Sequence, residues 1–494
     1  MRRFVPTAVL LLPLIAAGTG RAADIGPDGA QALRNQLQDW IGGFMPPGAK
    51  PPELALTVTP EDGHYRLAVP LAGVRAGAGE ASLTATVSPL PNNRWSVENL
   101  VLPPQTTFRV GTGNAAVQAT LGLGTEHGSA LIDPTFASRS SFDVQADDID
   151  FASQGAEQHQ QQHIDRYQAS GSLSAGTSNT LDLAEQTTAE GWRAAAQKAA
   201  GPAVAFGADR AKVELTISGI DRDRAGAAIA AVTAVAAAWP PMAPSGRPPA
   251  VDQLPPATRA ALRTLVEGLR GLAANARVQE TIQGLKVEIA GLGAASASAV
   301  RIGLGGEAPT GLLRVWFDVG VDGLALHGVP PDAAKLVPRQ ITFRPSIAGV
   351  PTDALTKLAL AATRPGTEPH RLDPEIAALF AQGSVTVGLE ALSFMIGPAQ
   401  FQGAGSLLMI SQTETEGQAR LTATGFGALM DAVRGNPDLQ QALPVLVLAR
   451  GLARTDGDRL VWDIASTRGG DITLNGVDVS ALIGAANHGR NPPR

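Results

Sequence analysis

Two histidines four residues apart, His159 and His163, lie in the run EQHQQQHID with Glu157 before them and Asp165 after. Imidazole nitrogens and carboxylates are zinc ligands, and a helix would put positions i and i+4 on one face. The run is polar and adjoins segments that alternate with period two, and on a strand the same spacing sets both rings on one exposed face. The strand is the expectation, without a metal. A second cluster, Asp143, Asp147, Asp148 and Asp150, has the carboxylate density of a calcium loop. It lacks the glycine and the terminal glutamate of EF-hand spacing and reads as a solvated strand edge.

Gly303, Gly305 and Gly306 in RIGLGGEAPTG have the composition of a phosphate-cradling loop, but neither G-x-G-x-x-G nor G-K-S/T is present, so a turn is expected. There is no G-x-S-x-G elbow. His64 adjoins a turn and His488 lies near the end, neither placed as a general base. Trp192, Trp239, Trp316 and Trp462 read as core or interface anchors. The sequence therefore nominates no catalytic, cofactor-binding or metal-ligating residue, and an enzyme is the least favoured class.

The elements that would position any site fall into two patterns. Gln31 to Phe44 carries Leu33, Leu37, Trp40 and Ile41 at helical spacing, and Pro46-Pro47 ends it. From there the period changes to two. Leu54, Leu56 and Val58 alternate, Glu61-Asp62-Gly63 turns the chain, and Tyr65, Leu67 and Val69 return, which is a hairpin. Leu83–Val87, Trp95–Val101, Phe108–Val110, Val117–Leu123 and Phe142–Val144 continue the alternation between short turns, and such turns join antiparallel strands. In the second half, Ala225–Trp239 is apolar nearly all round, and Ala257–Arg277 carries Leu262, Leu265, Val266, Leu269 and Leu272 on one stripe. The Pro-rich stretch Trp239–Pro256 between them reads as a loop.

A short motif recurs without fixed period: a strand-like run, Gly plus an apolar residue, then a helix start. It stands as TISGID at Thr216–Asp221, ALHGVP at Ala325–Pro330, SIAGVP at Ser346–Pro351, TATGFG at Thr422–Gly427 and TLNGVD at Thr473–Asp478. Gly permits a positive φ at the corner. Asp221, Asp332, Thr352 and Asp478 are placed to cap or charge the first turn that follows.

The opening MRRFVPTAVLLLPLIAAGTGRAAD has the positive start, apolar run and small–x–small site of an export signal, so residues 1–22 are expected to be removed and the rest to work in the periplasm. Losing Arg2, Arg3 and Arg21 takes the formal charge from −6 to −9. That balance, without a basic stripe, argues against nucleic acid as partner. The chain has no Cys, hence no disulfide and no lipid-bearing thiol. No second apolar stretch reads as a transmembrane span.

The Gly-led strand ends, the segment LVWDIASTRGGDITLNGVDVSALIG at Leu460–Gly484 and the export signal together resemble an uncharacterised family of alphaproteobacterial periplasmic proteins. More distantly, Gly470 to Val477 is similar to a near-terminal strand of AsmA-type envelope proteins. The first resemblance implies no activity; the second implies envelope lipid homeostasis as a theme, although here the N-terminal segment is expected to be removed rather than retained as an anchor.

The expected fold is α+β, mainly antiparallel β: one or two long curved sheets in meander order, with amphipathic helices near 28–44, 223–239, 257–277, 374–382 and 426–450 packed on one face. The expected division is a signal over 1–22, a helix and meander over 23–195, a mixed strand–helix region over 196–484 and a polar tail over 485–494. The expected role is a non-catalytic envelope protein that binds a lipid or other amphiphile in an apolar groove. The alternative is a structural or protein-interaction module whose partner is another envelope protein, and a hydrolytic enzyme comes last. No cofactor is expected.

Overall fold

The computed structural model describes residues 25–43, 56–70, 82–91, 94–110, 117–133, 138–155, 158–198, 201–239, 251–364, 372–381, 383, 385–411 and 413–480. The expected signal, the tail and His488 lie outside the described residues. The chain divides into two compact units, the first ending at Gly291 and the second starting at Leu292. The change of pattern expected at 195/196 falls within a strand pair, where Ala195 and Ala196 face Ala205 and Val204.

In the first unit, helix α1 (Pro27–Gly43) precedes β1 (Thr57–Glu61), β2 (His64–Pro70), β3 (Ser82–Leu90), β4 (Arg94–Val101), β5 (Gln105–Val110), β6 (Val117–Gly122) and β7 (Thr125–Asp133). Four long strands follow, β8 (Ser138–Gln154), β9 (Gln158–Ala175), β10 (Thr180–Lys198) and β11 (Val204–Asp221), and after α2 (Arg222–Ala238) and α3 (Pro256–Leu269) comes β12 (Asn275–Ile289). The ladders are antiparallel: β1–β2–β3–β4–β7–β8–β9–β10–β11–β12, with the β5–β6 hairpin completing the edge of β8 beside β7. The expected hairpin is present, with Val58 opposite Leu67 and Gly63 at φ 82° in the turn. Alternation buries Val58, Tyr65, Leu67, Val87 and Val97 on one face, where Ala30 and Leu33 of α1 join the same core.

The helix expected to run to Arg277 ends at Leu269, because Gly271 turns the chain at φ 64° and Arg277 already pairs with Thr216 in the β11–β12 ladder. Helices α2 and α3 pack on each other, with Gly268 of α3 against the backbone of Ala228. The fully buried hydroxyl of Thr258 donates to the Ala238 carbonyl and so ties the start of α3 to the end of α2.

The second unit contains β13 (Gly293–Glu307), β14 (Leu312–Asp322), β15 (Ala325–His327), α4 (Pro331–Ala334), β16 (Pro338–Pro351), α5 (Thr352–Ala362) and α6 (Asp373–Ala378). It continues with β17 (Val385–Ile396), β18 (Ala399–Met409), β19 (Thr415–Thr424), α7 (Phe426–Arg434), α8 (Leu443–Leu452), β20 (Arg454–Asp456), β21 (Arg459–Ser466), β22 (Ile472–Leu474) and β23 (Val477–Asp478). Its antiparallel order is β13–β14–β16–β17–β18–β19–β21–β22–β23, with β15 returning to β13 and β20 to β21. The single helix expected over 426–450 is two, because Gly435 and Pro437 interrupt it and Pro437–Ala442 forms a 3₁₀ turn. Among the described residues no helix is long and apolar enough to cross a membrane.

All five repeated corners hold their glycine at positive φ: Gly219 67°, Gly328 85°, Gly349 82°, Gly425 69° and Gly476 81°. After Gly219, Gly349 and Gly425 the chain leaves the sheet, makes a helical excursion and returns beside the strand it left, whereas Gly476 lies in a tight turn that joins β22 to β23. Asp221 caps α2 by accepting from the amides of Asp223 and Arg224 at 3.0 and 3.2 Å, and Asp478 accepts from the Ser480 amide at 2.9 Å. Thr352 does not cap; its hydroxyl donates to the Gly311 carbonyl at 3.1 Å. The side chain of Asp332 lies outside the described residues.

Candidate functional site

His159 and His163 are both in β9, opposite Gln154 and Asp150 of β8, and so share a face of the sheet. They do not converge on a common centre. His163 instead bridges two carboxylates, Nδ1 to Asp150 at 2.8 Å and Nε2 to Asp165 at 3.0 Å, and Arg193 of β10 also pairs with Asp165. The Asp150 hydrogen bond, helped by that of Asp165, holds the imidazole above its ordinary range. Glu157 lies outside the described residues.

The four aspartates expected on a strand edge are on β8, which is interior, between β7 and β9. Asp147 accepts from Arg166 at 2.9 Å, and that bond lowers its carboxyl below the usual range. Asp143 lines a shallow recess of ≈ 270 Å³ with Glu98 and Ser129. Among the described residues no group of three or more His, Cys, Asp or Glu side chains is placed to hold a metal ion.

Asp165 and its neighbours mark a line of irregular backbone that crosses the first unit. Core-facing residues on a regular strand are two apart. Here Ala146 and Ile149, Ile164 and Tyr167, Ala189 and Trp192, and Ala208 and Ala211 are three apart and all face inward. Each of β8 to β11 therefore carries one inserted residue at the same level, Asp148, Asp165, Gly191 and Asp209, and β12 has Gly284 beside Asp209. Asp148, Gly191 and Gly284 have φ of 51°, 62° and 62°. This crease bears an open concavity of ≈ 650 Å³ lined by Asp165, Arg166, Glu190, Arg193, Asp209 and Arg210.

On the core side of β7, Glu126 is half-buried opposite Ala146, and its Oε1 meets no hydrogen-bond donor among the described residues. Burial alone pushes this carboxyl up to about 7. Nothing in the sequence around it distinguishes it from the exposed acids of neighbouring strands.

The second unit carries the most extensive surface. Opposed residues of an antiparallel pair project from the same face. One row, Ile302–Val319–Phe343–Leu392–Gly403–Leu421–Trp462, crosses seven strands, and Val300–Val321–Ile341–Phe394–Phe401–Ala423–Leu460 crosses them beside it. A third, Gly306–Val315–Ile347–Val387–Leu407–Gly417, crosses six, and between it and the first stand Leu304–Phe317 and Pro345–Leu389–Gly405–Ala419–Ile464. These rows are apolar, and the third ends at Gly417 opposite Ser466 of β21. The opposite face carries ion pairs: Arg301–Asp322, Arg344–Asp318, Arg314–Glu307, Arg314–Glu390 and Arg420–Asp463.

Among the described residues, α7 and α8 cover one end of the apolar face. There α7, through Phe426, Leu429, Met430 and Val433, packs with Leu443, Leu446 and Ala449 of α8 against Phe401, Ala423 and Trp462. Trp462 is buried and its indole N–H donates to the Ala449 carbonyl at 2.8 Å. Away from the helices, Leu304, Phe317, Phe343, Ile347 and Ile464 leave 50, 39, 40, 46 and 38% of their surfaces in solvent. Contiguous apolar surface of this kind on a folded protein marks a site of contact with a lipid, ligand or protein.

The glycines expected in a turn at 303–306 are inside β13. A β-carbon at Gly305 would collide with the indole of its partner Trp316, so the glycine is there to let the ring lie across the sheet, with Arg314 over it at 5.4 Å. Trp316 is thus on the charged face, Trp192 packs on Phe206 in a tilted pair with centroids 4.7 Å apart in the first unit, and Trp239 ends α2 partly exposed. His64 is occupied by Glu61 and the Asp62 carbonyl.

Asn475, in the TLNGVD corner, was not singled out by its sequence. Its side chain donates to the carbonyls of Leu452 and Val461 at 2.8 and 3.0 Å and accepts from the Asp463 amide at 2.8 Å, joining the end of α8 to β21. No family model matches this chain, no curated protein matches it in sequence, and no solved structure matches it in fold.

Proposed function

We propose that this is a non-catalytic protein of the cell envelope, acting in the periplasm, whose second unit binds the hydrocarbon part of a lipid or other amphiphile on the apolar face of its sheet. The observation that carries the reading is the set of apolar rows crossing six and seven strands, in which Leu304, Phe317, Phe343, Ile347 and Ile464 leave 38–50% of their surfaces in solvent. Hydrocarbon fits such a surface because it gains from area and needs no directional partner. The helices act as a wall at one end of the apolar face. The leader-like residues 1–22 support the location.

The test is extraction and identification of lipids from protein purified under mild conditions, then titration of a fluorescent fatty-acyl probe against delipidated protein. Saturable binding that Leu304→Asp and Ile347→Asp abolish, while the fold is kept, is the expected result. No bound lipid and no saturable binding at micromolar protein rejects the proposal.

A specific observation favours a second reading, an interaction module. Helix α8 exposes 68% of Val445, 56% of Val447 and 55% of Leu448 on the side away from its own core. A protein partner that covers this helix accounts for those three residues without a lipid.

A further inference from the structure

The crease in the first unit is held by charge as well as by backbone shape. Asp148 of β8 faces Asp165 of β9, since the pairs Asp147–Arg166 and Ile149–Ile164 flank them. Their side chains part, that of Asp148 lying against Gly124 before β7 and that of Asp165 against Gly191 of β10. His163, itself in β9, donates Nδ1 across the strand pair to Asp150 of β8 and Nε2 to Asp165 of its own strand. Both nitrogens donate only in the imidazolium form; the neutral ring has one donor and one acceptor.

We propose that His163 is a proton-operated latch beside the crease, holding Asp150 of β8 and Asp165 of β9 together while charged and releasing one of the two carboxylates when it gives up its proton. The groups that face it are few. β8 presents Asp147, Asp148 and Asp150; β10 presents Arg193 and Glu190; β9 itself adds Asp165 and Arg166. Arg166 is committed to Asp147 and Arg193 to Asp165, so the His163 proton is the charge that offsets Asp150. Neutral His163 leaves Asp150 without an ion-pair partner among the described residues. The backbone there is already strained, with Asp148 at φ 51°. The Asp150 and Asp165 bonds raise the imidazole above its ordinary 6.5, so the latch is closed below that pH and opens as pH rises through the higher folded value.

The experiment uses the full-length protein. A histidine-selective NMR titration, assigned with His163→Gln, reads the His163 pKa, and hydrogen exchange corrected for intrinsic rates reads protection of amides 147–150, 163–166 and 190–193 from pH 5.5 to 8.5. The expected result is a pKa above 6.5 and a several-fold loss of protection confined to those amides at the alkaline end. His163→Arg, which keeps a cation at every pH, should hold protection constant. A pKa at or below 6.5, or the same pH profile in wild type and His163→Arg, overturns the proposal. If His163→Gln does not fold, the His163→Arg comparison and a titration assigned by it still decide the matter.

Discussion

The carboxylate of Asp165 on β9 lies over the α-carbon of Gly191 on β10, so close that no β-carbon fits between them. The same contact recurs two strands further on, between Asp209 of β11 and Gly284 of β12. Both glycines also have positive φ, so each position is closed to a side chain twice over. Gly191→Ala is expected to lower stability by about 1–3 kcal/mol in urea denaturation. Made in an Asp165→Ala background, the same change should cost less, since the clash with the carboxylate is gone and only the contact with the remaining β-carbon at 2.9 Å and the dihedral strain are left. Equal costs in both backgrounds would show that the carboxylate does not constrain the glycine.

The repeated corners separate two origins of the glycine requirement. At Gly476 a β-carbon would meet nothing within 4 Å, whereas at Gly425 it would strike the Pro398 carbonyl. Gly476→Ala should therefore cost about 1 kcal/mol, from φ alone, and Gly425→Ala roughly 2–4 kcal/mol. Chemical denaturation of the two variants checks the order.

Glu126 makes a pH-dependent contribution whose sign is opposite to that of a salt-bridged acid. The folded state keeps a proton to about 7 that the unfolded chain releases near 4.5, so this group's contribution is intact below 4.5 and is lost as pH rises to about 7. Glu126→Gln should leave the melting temperature unchanged at pH 4.5 and raise it at pH 8, by the equivalent of about 1–2 kcal/mol for a half-buried group. A variant no more stable than wild type at pH 8 refutes the assignment.

Asn475 has φ 49° and satisfies two carbonyls and one amide with a single side chain. Asn475→Ala is expected to cost roughly 2–4 kcal/mol, because partly buried backbone groups lose their partners at once. Asn475→Asp should be no better, since a carboxylate faces the carbonyls of Leu452 and Val461 with nothing to donate. Thermal melts that place either variant within 0.5 kcal/mol of wild type would remove Asn475 from the joint between α8 and β21.

The sequence was legible where local chemistry decides structure. Val58 and Leu67 alternate about a glycine turn and pair as expected, and the five Gly-led corners adopt the backbone that only glycine takes freely. It was misleading where tertiary contacts override periodicity. Leu272 continues the helical stripe of α3, yet its carbonyl is used by the Asp221 amide at 2.8 Å to close the excursion. In β8 to β11 the inserted residues at 148, 165, 191 and 209 break the period of two, so alternation shows only pieces of strands that run for 17 to 19 residues. The apolar face of the second unit depends on register across seven strands, and register is set by pairings far apart in the chain.

The helical excursions also bear on how the sheet assembles. The β11–β12 ladder must close over residues 222–274, and an unstructured loop of that length costs about 2 kcal/mol more to close than a four-residue turn. Helices α2 and α3 meet through neighbours in sequence, and once packed they hold the Asp221 amide at the Leu272 carbonyl, so the excursion behaves kinetically as a short turn. Strand zippering then proceeds hairpin by hairpin, with low effective contact order. Because the returning strand joins the edge just vacated, the length of an excursion can change by many residues without shifting the register of a single ladder.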